Sequence, residues 1–311
     1  DLENDIYAIS LLTPNTFLSG MQGRGDASLL PLINKKILLF KDWTNILSQN
    51  KDARNEIMGQ LREIYDGKMK KPFGTGKVAE WEGKIGLIAG TTQAIDLAQQ
   101  IHTTLGERFI HYRLSMPERK EVARRVLSNA KHQQDHRMAL RNAMYAYFKG
   151  FRMPLPTDVP NLPDEVNEEI IRVANFATIA RSGVIRDFGF KKEVIFVPSS
   201  EMPTRIVQQL DTIATSFIII NGNRFDQQDM DIIYKIALDS IPQTNRMVIM
   251  QMARKDNQTT ADIATGLGYP TAPIRIYLEN LALLGVCERL KASQTDEGGT
   301  SDRWRMYPEF V

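Results

Sequence analysis

The stretch KKILLFKDWT, residues 35–44, decides how the chain is read. Its apolar run, Ile37 to Phe40, has no polar alternation. Such a run predicts a strand covered on both faces, as in the middle of a parallel sheet flanked by helices. A carboxylate just past that strand, Asp42, then stands at the sheet's carboxyl edge, where open α/β folds bind ligands. Two readings are open for Asp42: a cap for the following helix, or a ligand to something bound at the edge.

Working outward, IYAIS (6–10) is a short strand candidate, and LLTPNTFLSGMQGRGD reads as a loop from its Gly, Pro and Asn content. A helix is predicted over 51–66, with Ile57, Met58, Leu61, Ile64 and Tyr65 as its apolar stripe and Gly67 as its stop. Residues 66–84 read as a lysine-rich hairpin with FGTGK at its tip. IGLIAGTT (85–92) is a second buried strand ending in two threonines, and ERFIHYRL (107–114) is a third. Residues 1–115 therefore form an α/β layer.

Helical patterns dominate 116–241, with a proline-rich link at 153–165 and a short hairpin or extended excursion at 186–203. Methionines and aromatics in this region are read as core. Residues 242–311 give helix, helix, turn, helix and a two-stranded ribbon around SQTDEGGTS, the order of a winged helix. The fold class is thus a partial parallel α/β core, an all-α region and a winged helix.

Composition narrows the classes. The chain has 311 residues, 42% hydrophobic and 24% charged, with a net charge of +2. That balance supports a real core, and any nucleic-acid footprint must be local. The single cysteine, Cys287, excludes an internal disulfide and favours a reducing, cytoplasmic setting. No run approaches the ~18 apolar residues of a membrane span. The four histidines show no metal-ligand spacing.

FGTGK (73–77) is not a phosphate loop, which needs GxxxxGK[ST] between a strand and a helix; Val78 follows the lysine. The series as a whole carries more. Strand with Asp42, helix, basic hairpin, strand with Thr92, GERFIHYRL, helical region, winged helix: residues 30–240 in this order resemble the AAA+ ATPases, nearest to the minichromosome-maintenance helicase group and similar ATPases of phages and mobile elements. LIAGTTQAID resembles the sensor 1 strand, GERFIHYRL the Ser-Arg-Phe box, and PTRIVQQLDTIATSFIIING with QQDMDIIYKIAL the lid helices.

The resemblance implies ATP and Mg²⁺ as cofactors, with Asp42 holding the cation, Thr92 near the γ-phosphate, Arg108 as an arginine finger aimed at a neighbouring subunit, and Arg205 as sensor 2. It implies DNA as substrate and a homo-oligomeric ring, typically a hexamer. Guanidinium groups suit the task because they are always charged and planar, and a finger supplied in trans is worth ~10³–10⁵ in rate.

Two departures stand beside this. Trp43 follows Asp42 where the family has a water-activating glutamate, and no Walker A segment is present, so the natural protein is expected to extend upstream. Both favour a rival reading, a non-enzymatic winged-helix DNA-binding or adaptor protein with a degenerate ATPase-like core. DNA contacts are expected from Lys68, Lys70, Lys71 and Lys77 on the hairpin, and from Arg275, Arg303 and Arg305 on the recognition helix and wing. Glu279, Asp296 and Glu297 make that last surface mixed in charge, so protein docking is the alternative there.

Overall fold

The computed structural model describes residues 2–19, 28–74, 76–97, 108–115, 117–187, 189, 192–291 and 301–310. It divides into two units, Asp1–Phe109 and Ile110–Val311, each with its own apolar core.

The first unit opens with α1 (Leu2–Asp5), β1 (Ile6–Ile9), α2 (Leu30–Ile33) and β2 (Ile37–Phe40), followed by α3 (Thr44–Leu47) and α4 (Lys51–Tyr65). A hairpin follows, β3 (Lys68–Pro72) with β4 (Val78–Glu82), then β5 (Gly86–Ala89) and α5 (Ala94–Leu97). The sheet order is β1-β2-β5, all parallel, with Leu38 between Tyr7 and Leu87. The KKILLFKDWT strand is therefore the central one. Its burial differs from the reading above: Leu38 and Phe40 are fully buried, while Ile37 and Leu39 are only partly covered. One face of β2 packs on the core and the other is half open.

Helix α4 starts at Asn50, whose side chain accepts from the Ala53 amide, and ends at Gly67, which has φ of +86°. Ile57, Met58, Leu61 and Ile64 are its buried stripe. Tyr65, expected inside, is 47% exposed. The stripe has already turned away from it, and its ring lies under the Arg108 guanidinium.

The third strand expected over 107–114 is not found: residues 108–114 are neither strand nor helix. The backbone there is held by side chains instead of a ladder. His111 and Arg113 amides donate to Ser240 Oγ (3.1 Å) and Asp239 Oδ2 (2.7 Å), and Lys235 Nζ donates to the Arg113 carbonyl (2.6 Å). Ile110 packs with the second unit's core.

The second unit contains α6 (Arg119–Asn129), α7 (Gln133–Gly150), a 3₁₀ turn at Pro156–Asp158 and α8 (Asp164–Arg181). A two-stranded pair, β6 (Ile185–Arg186) with β7 (Val194–Phe196), then leads to α9 (Thr204–Ile220) and α10 (Gln227–Asp239). Helices α8, α9 and α10 pack together through Ile170, Ala174, Ala177, Ile206, Leu210, Ala214 and Ile233. Each large burial of this kind contributes roughly 1.5–3 kcal/mol. By contrast, no residue of α6 or α7 is buried. The expectation that aromatics and methionines here are core fails for Met138, Met144, Tyr145, Tyr147 and Phe148, all 41–57% exposed.

The chain ends in α11 (Gln243–Met252), β8 (Gln258–Thr259), α12 (Thr260–Leu267), α13 (Thr271–Leu283), β9 (Cys287–Leu290) and β10 (Arg303–Met306). The sheet order is β8-β10-β9, antiparallel. Thr259 and Asp262 form a reciprocal capping box at the start of α12, and Gly268 closes it at φ of +67°. Leu278 and Leu281 are fully buried and Leu284 partly so. The tip of the ribbon, with Asp296 and Glu297, lies outside the described residues, as do His102, Gly106 and Glu107. No helix among the described residues is long and apolar enough to cross a membrane.

Candidate functional site

The carboxyl ends of β2 and β5 lie side by side because the strands are paired and parallel. Just beyond them the chain stays close: the Trp43 amide donates to the Gly90 carbonyl (2.7 Å), and the Gly90 amide to the Phe40 carbonyl (3.0 Å). Gly90 permits this, since a Cβ there would sit 2.9 Å from the Lys41 carbonyl oxygen. Asp42, Thr44 and Thr92 therefore converge. The Thr44 and Thr92 hydroxyls are 3.4 Å apart, and Asp42 Oδ1 accepts from the Thr44 amide at 2.9 Å. Asn45 reaches across to the Ser10 carbonyl beyond β1 at 3.3 Å.

Asp42 thus performs the capping role considered from sequence. It also keeps its second oxygen and is exposed, as is Thr92. Thr92 Oγ1 in turn accepts from the Ala94 amide (3.3 Å), starting α5. Thr44 was not singled out in the sequence; its place two residues past an edge carboxylate was the available signal.

The donor chemistry here is one carboxylate and two hydroxyls, all hard oxygens. Among the described residues no cluster of three or more His, Cys, Asp or Glu side chains gathers for a metal. A Mg²⁺ shared with phosphates needs only one or two carboxylates, so Asp42 with the two hydroxyls fits that use and does not fit a cation held by protein alone.

Arg108 lies elsewhere in the first unit. Its Nη2 and Nε donate to Asp66 Oδ2 and Oδ1 (2.7 and 3.3 Å), and its side chain is 15% exposed. Phe109, next in sequence, sets its ring against Trp43 at 5.8 Å. The Arg108–Phe109 segment is thereby tied to the exit of β2, but its arginine is forked onto the end of α4.

In the second unit, Arg205 sits in the first turn of α9, 3.8 Å from Glu201. Arg181, the last residue of α8, is 5% exposed and was missed by sequence reasoning. Burial pushes its guanidinium down to about 10; the Glu201 carboxylate opposes this and the Arg205 charge adds to it. Arg181 was hidden because it continues a helix whose other buried positions, Thr178 aside, are apolar. The Glu201 carboxylate thus acts on both Arg181 and Arg205.

The hairpin lysines are largely engaged. Register places Lys68 opposite Glu82 and Lys70 opposite Glu80, at 3.3 and 2.5 Å. Lys71 turns inward to Glu56 (3.0 Å) and the Pro14 carbonyl (2.7 Å). Lys77 alone of the four forms no ion pair among the described residues. The C-terminal arginines are engaged likewise: Arg305 pairs with Glu288 across the ribbon strands (2.5 Å), Arg275 with Glu279 along α13 (3.0 Å), and Arg303 donates to the Asn257 carbonyl (3.0 Å).

An open pocket of about 570 Å³ lies between the proline-rich link and α9, lined by Met153, Pro156, Leu162, Asp211 and Ile219 among others. None of the residues above lines it. No family model and no curated protein matches this chain.

Proposed function

We propose that the chain is the C-terminal portion of an AAA+-type ATPase that drives DNA unwinding or remodelling in replication of cellular, phage or plasmid DNA. The observation that carries this is the convergence of Asp42, Thr44 and Thr92 beyond two adjacent parallel strands. A carboxylate and a polar strand end at that edge are what a phosphoryl-transfer site requires. Asp42 would hold Mg²⁺, which stabilises negative charge on the phosphoryl oxygens when bound. Thr92 would orient the terminal phosphate by its hydroxyl. Arg205, in the first turn of α9, would act as the lid's phosphate sensor. The helix–strand–helix–helix–ribbon order of residues 243–306 supports a winged helix.

Arg108 is the finger residue in this reading, delivered in trans within a ring of subunits, and it must leave Asp66 to act. In the natural full-length protein, Arg108→Ala should abolish ATP turnover with nucleotide binding retained. Unchanged turnover removes the assignment.

A second reading is favoured by specific observations: Trp43 occupies the position of the water-activating base, Asp42 Oδ1 is already used as a cap, and Arg108 is forked by Asp66. It makes the chain a DNA-binding or adaptor protein on an inactive ATPase-like core. A full-length protein that binds DNA through residues 243–306 and never turns over ATP would establish it.

A further inference from the structure

The chain's positive charge is concentrated in one place. Residues 117–152 carry nine Lys and Arg against three Asp and Glu, whereas the remaining residues carry 30 against 34. This segment is α6 and α7, where nothing is buried. Lys120, Arg124, Lys131, Arg137, Lys149 and Arg152 form no ion pair among the described residues. Interleaved with them are exposed apolar side chains: Val126 at 62%, Leu127 at 79%, Leu140 at 66% and Tyr145 at 54%. An uncovered 11-residue helix such as α6 is marginal in water, because most helix stability comes from packing an apolar face.

The cover must therefore be both acidic and apolar. A phosphate backbone satisfies the cations and leaves Leu127 and Leu140 in water; a protein surface satisfies both. This chain offers such a surface. Residues 153–311 hold 21 Asp and Glu against 16 Lys and Arg. At the start of α8, Asp164, Glu165 and Glu168 are exposed, form no ion pair among the described residues, and flank Ile171, which is 45% exposed.

We propose that α6 and α7 are the docking surface for a second copy of this chain, seated on the acidic start of its α8. Different patches meet, so the contact is heterologous, and a heterologous contact that closes makes a ring. Closure into a ring rests on the ATPase reading above; the association itself does not, and the experiment reads association alone.

Sedimentation velocity of the 311-residue chain tests it. At about 50 mM salt the sedimentation coefficient should rise with protein concentration. At about 500 mM the association should weaken by roughly tenfold, since exposed charge pairs are screened. Lys120→Glu with Arg124→Glu should abolish it, as should Glu165→Lys with Glu168→Lys. Combining all four in one chain should restore it, a result that folding damage cannot produce. A monomer at every concentration overturns the proposal, as does association that ignores both reversals. So does a monomer that binds duplex DNA through Lys120 and Arg124, which would assign the helices to a polyanion.

Discussion

At the scale of single residues, several charged groups of the second unit are paired with one another. Glu169 accepts from Arg172 and from the Tyr234 hydroxyl, which together hold its carboxyl at about 2, well below the usual range. A depressed carboxylate contributes stability that is present above its unfolded value, near 4.5, and is lost as pH falls toward 2. Glu169→Gln should therefore lower the melting temperature at pH 7, and the gap to wild type should close by about pH 2. A gap independent of pH would place Glu169's contribution outside its charge. Asp42 is a sharper case. Its loss removes a cap worth about 0.5–2 kcal/mol, so Asp42→Ala should destabilise modestly while Asp42→Asn, which keeps an accepting oxygen, should not. Thermal unfolding of the two variants separates the structural role from any role in binding.

At the scale of elements, the close approach of β2 and β5 defines the candidate site, and Gly90 sets it. Gly90→Ala would press a methyl group on the Lys41 carbonyl at 2.9 Å, with a cost of about 1–3 kcal/mol. The strand ends should part, so the amide signals of Thr44 and Thr92 should shift well beyond those of α4; unchanged positions would show that the edge tolerates more room. The β3–β4 hairpin is expected to matter little: Lys68→Ala and Lys70→Ala each remove an exposed pair worth roughly 0.2–1 kcal/mol. Local signals made these elements legible: the unbroken apolar run Ile37–Phe40, the periodic stripe of α4 and the Thr259 cap. Two things were illegible. The 108–114 segment carries a strand's composition, but its amides are satisfied by Ser240 and Asp239, more than 120 residues away. The lysines looked like a basic tip until the register set glutamates opposite them.

At the scale of the whole molecule, each unit encloses its own core, one from Leu12 to Trp81 and the other from Leu162 to Met306. Residues 110–311 should therefore fold without residues 1–109. Cys287 provides the readout, because its thiol is buried and burial pushes it up to about 12. It should resist thiol reagents equally in the fragment and the full chain, and react only on unfolding; fast labelling of the fragment alone would show that the core needs the first unit. The site was partly legible for the same reason the units are. Asp42 and Thr92 follow strands whose pairing is simple, whereas Arg108 and Arg181 owe their surroundings to tertiary contacts. The most direct measurement on the central claim uses Mn²⁺ with ATP as a paramagnetic probe in nuclear magnetic resonance of the natural full-length protein. Selective broadening of the Asp42, Thr44 and Thr92 amide signals, lost in Asp42→Asn, is the result expected of a nucleotide–metal edge. Absence of broadening there, or equal broadening in the variant, would contradict it.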